Sequence, residues 1–413
     1  MVKFNFRKNL IWKCLFSIMA ATSNTDLYAQ SFLFPGAQSS FESGLSQTNT
    51  HGAAAVATNP ANTIITKRIE AYGDISLLNV SYTYLRPSYA PATIAVTAPP
   101  VSFGASYKPK SNMAFGFFMS PRPSFSSQKL KSVPLTIGGS VVPVDIDQKS
   151  STFYSALGAG FKVNKNTSIG ISILEAAEDS QIIVRQEGSR DDADALFGMR
   201  NRGSFMQFLF GFRSVFKQKT TVAASWKTSV SKSYKGTQIV KGDEDNNIRK
   251  KDFAPTIISL GGEYRFGAPA VFSELRLERW AAGQSSYSSG LPGGASATAL
   301  NNVLILVAGG RLKLDGSQSG SASFGLYPHN TGLGSTSTEL DAGTGKSGVQ
   351  FGNFDALDRM MFSAAYRKSG KKRDFTAGFN YITGSRVVPS NYPNAGRYTL
   401  SVFTIGAGGS FYF

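Results

Sequence analysis

Ser204 to Phe216, SFMQFLFGFRSVF, is the stretch that decides the fold. Met206, Phe208, Phe210, Phe212 and Phe216 share one parity, and Gln207, Gly211 and Arg213 share the other. Side chains alternate between the two faces of a strand, so one face is a row of bulky apolar groups and the other is polar or bare. A strand of a membrane barrel has this pattern, with its apolar row toward lipid and its polar row toward a lumen.

Three further stretches alternate the same way. In Phe153 to Val163, Phe153, Leu157, Ala159, Phe161 and Val163 oppose Tyr154, Gly158, Gly160 and Lys162. In Val271 to Trp280, Val271, Leu275 and Leu277 oppose Glu274, Arg276 and Glu278. In Phe375 to Ile382, Phe375, Ala377, Phe379 and Tyr381 oppose Thr376, Gly378 and Asn380. An Arg or Lys facing lipid near the midplane costs about 2–4 kcal/mol. Lys162, Arg213, Glu274, Arg276 and Glu278 are therefore expected inside the barrel.

The connections alternate in length. Short polar or basic turns fall at 108–112, 164–166, 217–219, 267–269, 315–320 and 368–373. Long polar segments fall near 85–98, 121–150, 177–202, 233–252, 283–299, 329–357 and 385–397. Short turns at one rim and long loops at the other are the asymmetry of outer-membrane barrels. Seven long and six short connections join about fourteen antiparallel strands, an even number as a single-chain bacterial barrel requires. The chain closes on Ser410, Phe411, Tyr412 and Phe413; a terminal Phe of this kind looks like the signal read by the barrel assembly machinery.

Composition agrees with this reading. Of 413 residues, 17% are charged and 41% hydrophobic, with 42 Gly, 31 Phe and 16 Tyr. No apolar run after the N-terminus approaches the roughly 18 residues of a spanning helix. The net charge of +17 invites a nucleic-acid reading, but the basic residues are scattered and gather in short turns, with no basic helix or RNA-binding motif around them. No nucleic-acid partner is expected.

Residues 1–29 read as a signal peptide. Lys3, Arg7 and Lys8 form a positive start, Leu10 to Ala21 is the apolar core, and Ala29 ends the segment. The single cysteine, Cys14, falls within it, so the exported chain has no disulfide and no cysteine-based metal site. The location implied is the cell outer membrane.

Ser39 to Thr63 carries a small-residue run, Gly52 to Ala57, followed by Asn59, Pro60 and Ala61. It resembles the N-terminal hatch of the FadL-type transporters, which carry long-chain fatty acids and aromatic hydrocarbons. Here HGAAAVAT precedes the Asn-Pro-Ala, without the acidic residues the family often has there. Ala254 to Trp280 (APTIISLGGEYRFGAPAVFSELRLERW) is similar to a hairpin of that family, and Ala223 to Val230 to its strand entering a serine-containing loop. Asp358 to Gly384 is similar to its penultimate hairpin. The resemblance runs in order through nearly the whole exported chain.

What the resemblance implies is a barrel at 67–413 plugged by a hatch at 30–66. A hydrophobic small molecule, such as a long-chain fatty acid, would be captured at the outer loops and held in the lumen. It would leave sideways into outer-membrane lipid. Asn59, Pro60 and Ala61 would set the hatch turn, with Phe32 and Phe34 sensing the ligand. Arg213 and Arg276 are candidates to hold a carboxylate, and Leu209 and Met361 to line the pocket. A lateral opening is expected near Asn112 to Ser120, where Gly116 and Pro121 weaken the ladder.

Other readings stand beside this one. A porin for small polar solutes would need an open channel. A structural or adhesive surface barrel would use the long loops. An enzyme would need a base or nucleophile, and the only histidines, His51 and His329, carry no motif and read as solvated polar residues. No cofactor or metal is expected.

Overall fold

The structure, a computed structural model, describes residues 47–98, 101–122, 128–137, 140–189, 195–240, 243–280, 284–288, 295–299, 301–329, 357–389 and 395–413. The expected signal peptide, Phe32 and Phe34 lie outside the described residues.

Fourteen antiparallel strands close into a barrel in chain order. The first is β1 (Ile69–Leu85). The second is made of β2 (Ala92–Ala98) and β3 (Val101–Lys110), which pair with successive stretches of β1. Next come β4 (Met113–Arg122), then β5 (Gln128–Ile137), which pairs with the upper half of β6 (Ser140–Lys162). β7 (Thr167–Gln186) and β8 (Ala195–Phe216) follow. The seventh barrel strand is β9 (Thr220–Lys227) continued by β10 (Val230–Val240), both paired with β8. The eighth is β11 (Asp243–Ala254) continued past Pro255 by β12 (Thr256–Arg265). β13 (Pro269–Arg279), capped by β14 (Gln284–Ser288), pairs with β16 (Val303–Lys313), capped by β15 (Ala295–Ala299). β17 (Gln318–Tyr327), β18 (Asp358–Ser369), β19 (Arg373–Val388) and β20 (Gly396–Tyr412) complete the wall. β20 pairs with β1 from Glu70↔Tyr412 to Leu85↔Arg397, which joins the last strand to the first.

The alternation read from the sequence sets the two faces. On β8, Met206 and Phe208 are 64% and 47% exposed, whereas Gln207 and Leu209 are 4% and 3%. Glu263, Glu274 and Glu278 are buried inside. Lys162 keeps the inward parity but lies exposed at the rim by the short turns. The outer face is an apolar band of Ile, Leu, Val and Phe too large for a water-facing surface and suited to lipid.

Several segments expected as long polar loops are instead strands. The hairpins β5–β6, β7–β8 and β10–β11 occupy most of 128–150, 177–202 and 233–252. Beyond the apolar band the outward face of a strand no longer meets lipid and can be polar. The hydrophobic alternation then fades while the backbone ladder continues.

The short turns are closed by side chains. Asn164 Oδ1 accepts from the N–H groups of Asn166 and Thr167, both at 2.9 Å. Asp315 accepts from the Ser317 and Gln318 N–H groups at 2.7 and 2.8 Å, which holds its carboxyl below the usual range.

Candidate functional site in the barrel lumen

Residues 47–66 lie inside the barrel as two short 3-10 turns, Gly52–Ala57 and Pro60–Ile65. Every residue from Gly52 to Ile64 is buried. Pro60 suits the first helical position, where its missing N–H is not needed. Asn59 caps that turn, its Oδ1 accepting from the Ala61 N–H at 3.1 Å. The segment packs close because its residues are small and because the wall beside it lacks side chains. A Cβ on Gly170 would stand 2.3 Å from the Pro60 carbonyl carbon, and one on Gly211 2.1 Å from Asn59 Oδ1.

Three polar groups pin the segment to the wall. Asn59 Nδ2 lies 3.1 Å from the Phe212 carbonyl oxygen, 3.3 Å from that of Ala224 and 3.1 Å from Gln47 Oε1. Glu70, 1% exposed at the base of β1, accepts from the Ala53 N–H at 3.0 Å and the Thr66 hydroxyl at 2.9 Å. It also accepts from Ser106 on β3 at 2.6 Å and Ser410 on β20 at 2.5 Å. His51 is wedged between segment and wall rather than solvated, which corrects the reading from sequence. Arg367 Nη2 lies 2.9 Å from His51 Nε2, so that nitrogen accepts and the proton sits on Nδ1, 3.3 Å from the Asn49 carbonyl oxygen. Asp374 stands 3.6 Å away from the same ring nitrogen. His329 differs, pairing at the loop end with Asp358 at 2.7 Å. Glu70 was missed in the sequence because an isolated Glu opening a strand carries no motif.

On its loop side the segment packs into an apolar cluster. Ala54, Val56 and Ala57 pack with Phe118, Ala156, Leu174 and Leu209, flanked by Tyr72 and Tyr154. Leu209 is thus part of this cluster. Met361 faces the lumen from β18, 1% exposed, outside that cluster.

The two candidate arginines are not brought together. Arg276 donates to Glu274 Oε1 at 3.0 Å, and Glu274 in turn accepts from the Gln47 N–H at 3.2 Å. Arg213 is two residues closer to the short turns than Gly211, against which Asn59 rests. Segment 47–66 thus packs on the loop side of Arg213. Toward that end, a buried pair stands on β7 and β10. Lys232 Nζ lies 3.0 Å from Glu178 Oε1 and 3.7 Å above the Phe205 ring, and Tyr234 donates to the same carboxylate. No sequence signal marked this pair, because its strands alternate too weakly to reveal an inner face.

Gly116 is paired on both sides, with Ser106 and with Gly158. A Cβ there would meet Val56 Cγ1 at 2.7 Å, so the glycine makes room for segment 47–66. The β4–β6 ladder runs unbroken past Pro121 to Arg122↔Thr152, whereas the β3–β4 ladder reaches only Phe103↔Met119. Pro121 thus lies in the part of β4 paired to one neighbour.

No protein-family model matches the sequence, and neither does any curated protein. Solved structures do match its shape. A FadL homologue from Pseudomonas aeruginosa superposes with a TM-score of 0.66 at 12% identity, covering 91% of this chain and 98% of the other. The Pseudomonas putida toluene transporter TodX gives 0.65 at 13% identity over 92% and 98%. The Ralstonia pickettii toluene transporter TbuX gives 0.57 at 11% over 92% and 98%. With its fourteen strands closed in chain order, the chain has the fold of the FadL-type transporters.

Proposed function

We propose that this protein takes hydrophobic small molecules through the outer membrane, with long-chain fatty acids as the first class to test. What supports the reading is the lumenal segment 47–66, whose packing with Phe118, Leu174 and Leu209 would give the lumen an apolar floor toward the loop end. A channel for polar solutes has no use for such a floor, while an apolar ligand gains about 25 cal/mol per Å² of surface taken from water. The likeness in shape to the toluene transporters TodX and TbuX supports the same class.

In this mechanism residues 30–66 act as a hatch. Ligand settles on the floor formed by Ala54, Val56, Phe118 and Leu209. Displacement of the hatch turn at Asn59, Pro60 and Ala61 then opens a path, with release sideways into membrane lipid near β4, where the ladder to β3 stops short. The exposed Phe413 is the element offered to the assembly machinery.

Titration of the detergent-solubilised protein with a fluorescent long-chain fatty acid tests the ligand class, with a variant lacking residues 30–62 as control. Saturable binding, displaced by unlabelled fatty acid and weakened in the control, is expected. Displacement by toluene but not by fatty acid would move the substrate to aromatic hydrocarbons. No saturable binding of either would overturn the function.

A further inference from the structure

The outer wall is not uniformly bulky. Where β18, β19, β20 and β1 run side by side, an apolar groove of about 800 Å³ opens outward. Its floor is Ala377, Gly406 and Ala407, and its walls are Tyr366, Phe379 and Ile405. Below Ala407 the small residues continue as Gly409 paired with Gly73. Elsewhere this face carries large side chains such as Phe208, Phe210 and Phe212.

The rim directly beneath the groove is basic. Lys368, Lys371, Lys372 and Arg373 are all exposed on the β18–β19 turn. That turn is fixed from both sides. Lys67 Nζ donates to the Gly370 and Lys371 carbonyls at 2.6 and 2.7 Å, and Asp374 accepts from the Gly370 N–H at 3.1 Å. The cations are therefore presented on a held backbone. Ala377 is four residues above Arg373, about 13 Å along the strand at roughly 3.3 Å per residue. With a tilt near 45° its depth is about 9 Å, within one leaflet of a core about 30 Å thick.

We propose that this groove and its basic rim form a binding site for one anionic phospholipid of the periplasmic leaflet. An acyl chain lies along Ala377, Ala407 and Gly409, and the headgroup phosphate meets Lys368, Lys371 and Arg373. The charge of the rim selects the occupant. A lipid of no net charge would offset less of the rim's four cations than an anionic one. The site is separate from the lumen and does not depend on what the barrel transports.

Native mass spectrometry of the delipidated full-length barrel tests this with three probes: phosphatidylglycerol, phosphatidylcholine of the same acyl chains, and inorganic phosphate. One phosphatidylglycerol per barrel is expected, held at least about tenfold more tightly than phosphatidylcholine. Each of K368Q, K371Q and R373Q should weaken it by about fivefold, the effect of one cation near an anionic surface. A377F, which fills the groove while leaving the rim intact, should weaken both lipids alike. Folding of every variant is read from its heat-shifted migration on a gel. Equal retention of the two lipids, unchanged binding in the rim variants, displacement by inorganic phosphate alone, or a dimer in place of bound lipid would each overturn the proposal.

Discussion

At the residue scale the lumen is governed by acceptors and donors whose partners are fixed backbone. Asn59 is the clearest. Its amide nitrogen faces carbonyl oxygens of β8 and β9, and its amide oxygen caps the following turn. Asn59→Ala removes these bonds and is expected to destabilise the hatch by about 2–3 kcal/mol, at roughly 1 kcal/mol per net bond. Asn59→Asp should be worse although it is the smaller change in shape. It keeps the cap but turns a buried carboxylate toward the Phe212 and Ala224 carbonyls. The order of plug release, Asp above Ala above wild type, can be read as conductance in planar bilayers. Glu70 behaves in the opposite sense, as a charge satisfied by four donors. Glu70→Ala leaves the Ala53 N–H and the Thr66 and Ser410 hydroxyls buried without this acceptor, while Ser106 keeps Thr66 Oγ1 at 2.7 Å, and should both raise conductance and lower the unfolding temperature of the barrel. The sequence offered Asn59, because Asn-Pro is a turn signal with a known mechanism. It offered nothing for Glu70 or for the wedged His51, because neither sits in a motif and their partners, Arg367 for His51 and Ala53, Thr66, Ser106 and Ser410 for Glu70, meet only in the fold.

At the scale of the element, the period-two pattern carries most of the information. It placed Gln207 and Phe208 on opposite faces of β8, and their exposures of 4% and 47% follow. Phe208→Arg is therefore expected to lower barrel stability by about 2–4 kcal/mol in lipid. Gln207→Ala, on the lumen face, should cost about 1 kcal/mol, the net worth of its bond to the Thr228 carbonyl. Urea titration in lipid vesicles distinguishes the two, and a Phe208→Arg loss no larger than that of Gln207→Ala would count against the assigned faces. The same pattern failed where strands extend past the apolar band, as in β10 and β11, whose polar residues read as a loop. There Lys232 and Glu178 form a buried pair that no alternation announced. Removing one member, by Lys232→Met or Glu178→Leu, leaves an uncompensated buried charge and should cost about 3–5 kcal/mol. The double replacement should recover most of that loss. A double variant as unstable as the sum of the singles would show that the pair is not a closed unit.

At the scale of the whole molecule, wall and plug have separable sources of stability. The wall is held by continuous ladders, and its closure depends on β1 meeting β20 from Glu70↔Tyr412 to Leu85↔Arg397, a seam to which residues 47–66 add no strand. Segment 47–66, the proposed plug, is held by close approach to wall glycines and by a few buried polar groups. A chain lacking residues 30–62 is therefore expected to close its barrel, keeping the outer band and the β1–β20 seam intact. Deletion exposes Phe118, Leu174 and Leu209 to water inside the lumen, a loss that lowers stability without opening the ladder. Gly170→Ala approaches the same state by a different route. Its methyl group meets the Pro60 backbone at 2.3 Å, and neither backbone can yield without one moving. Because the wall strand is paired on both sides and the plug is not, the plug should move. Both variants should show raised conductance with heat-shifted gel migration retained. If Gly170→Ala instead lost the heat shift while remaining closed, the plug would be the stiffer partner, and the barrel would owe its shape to it.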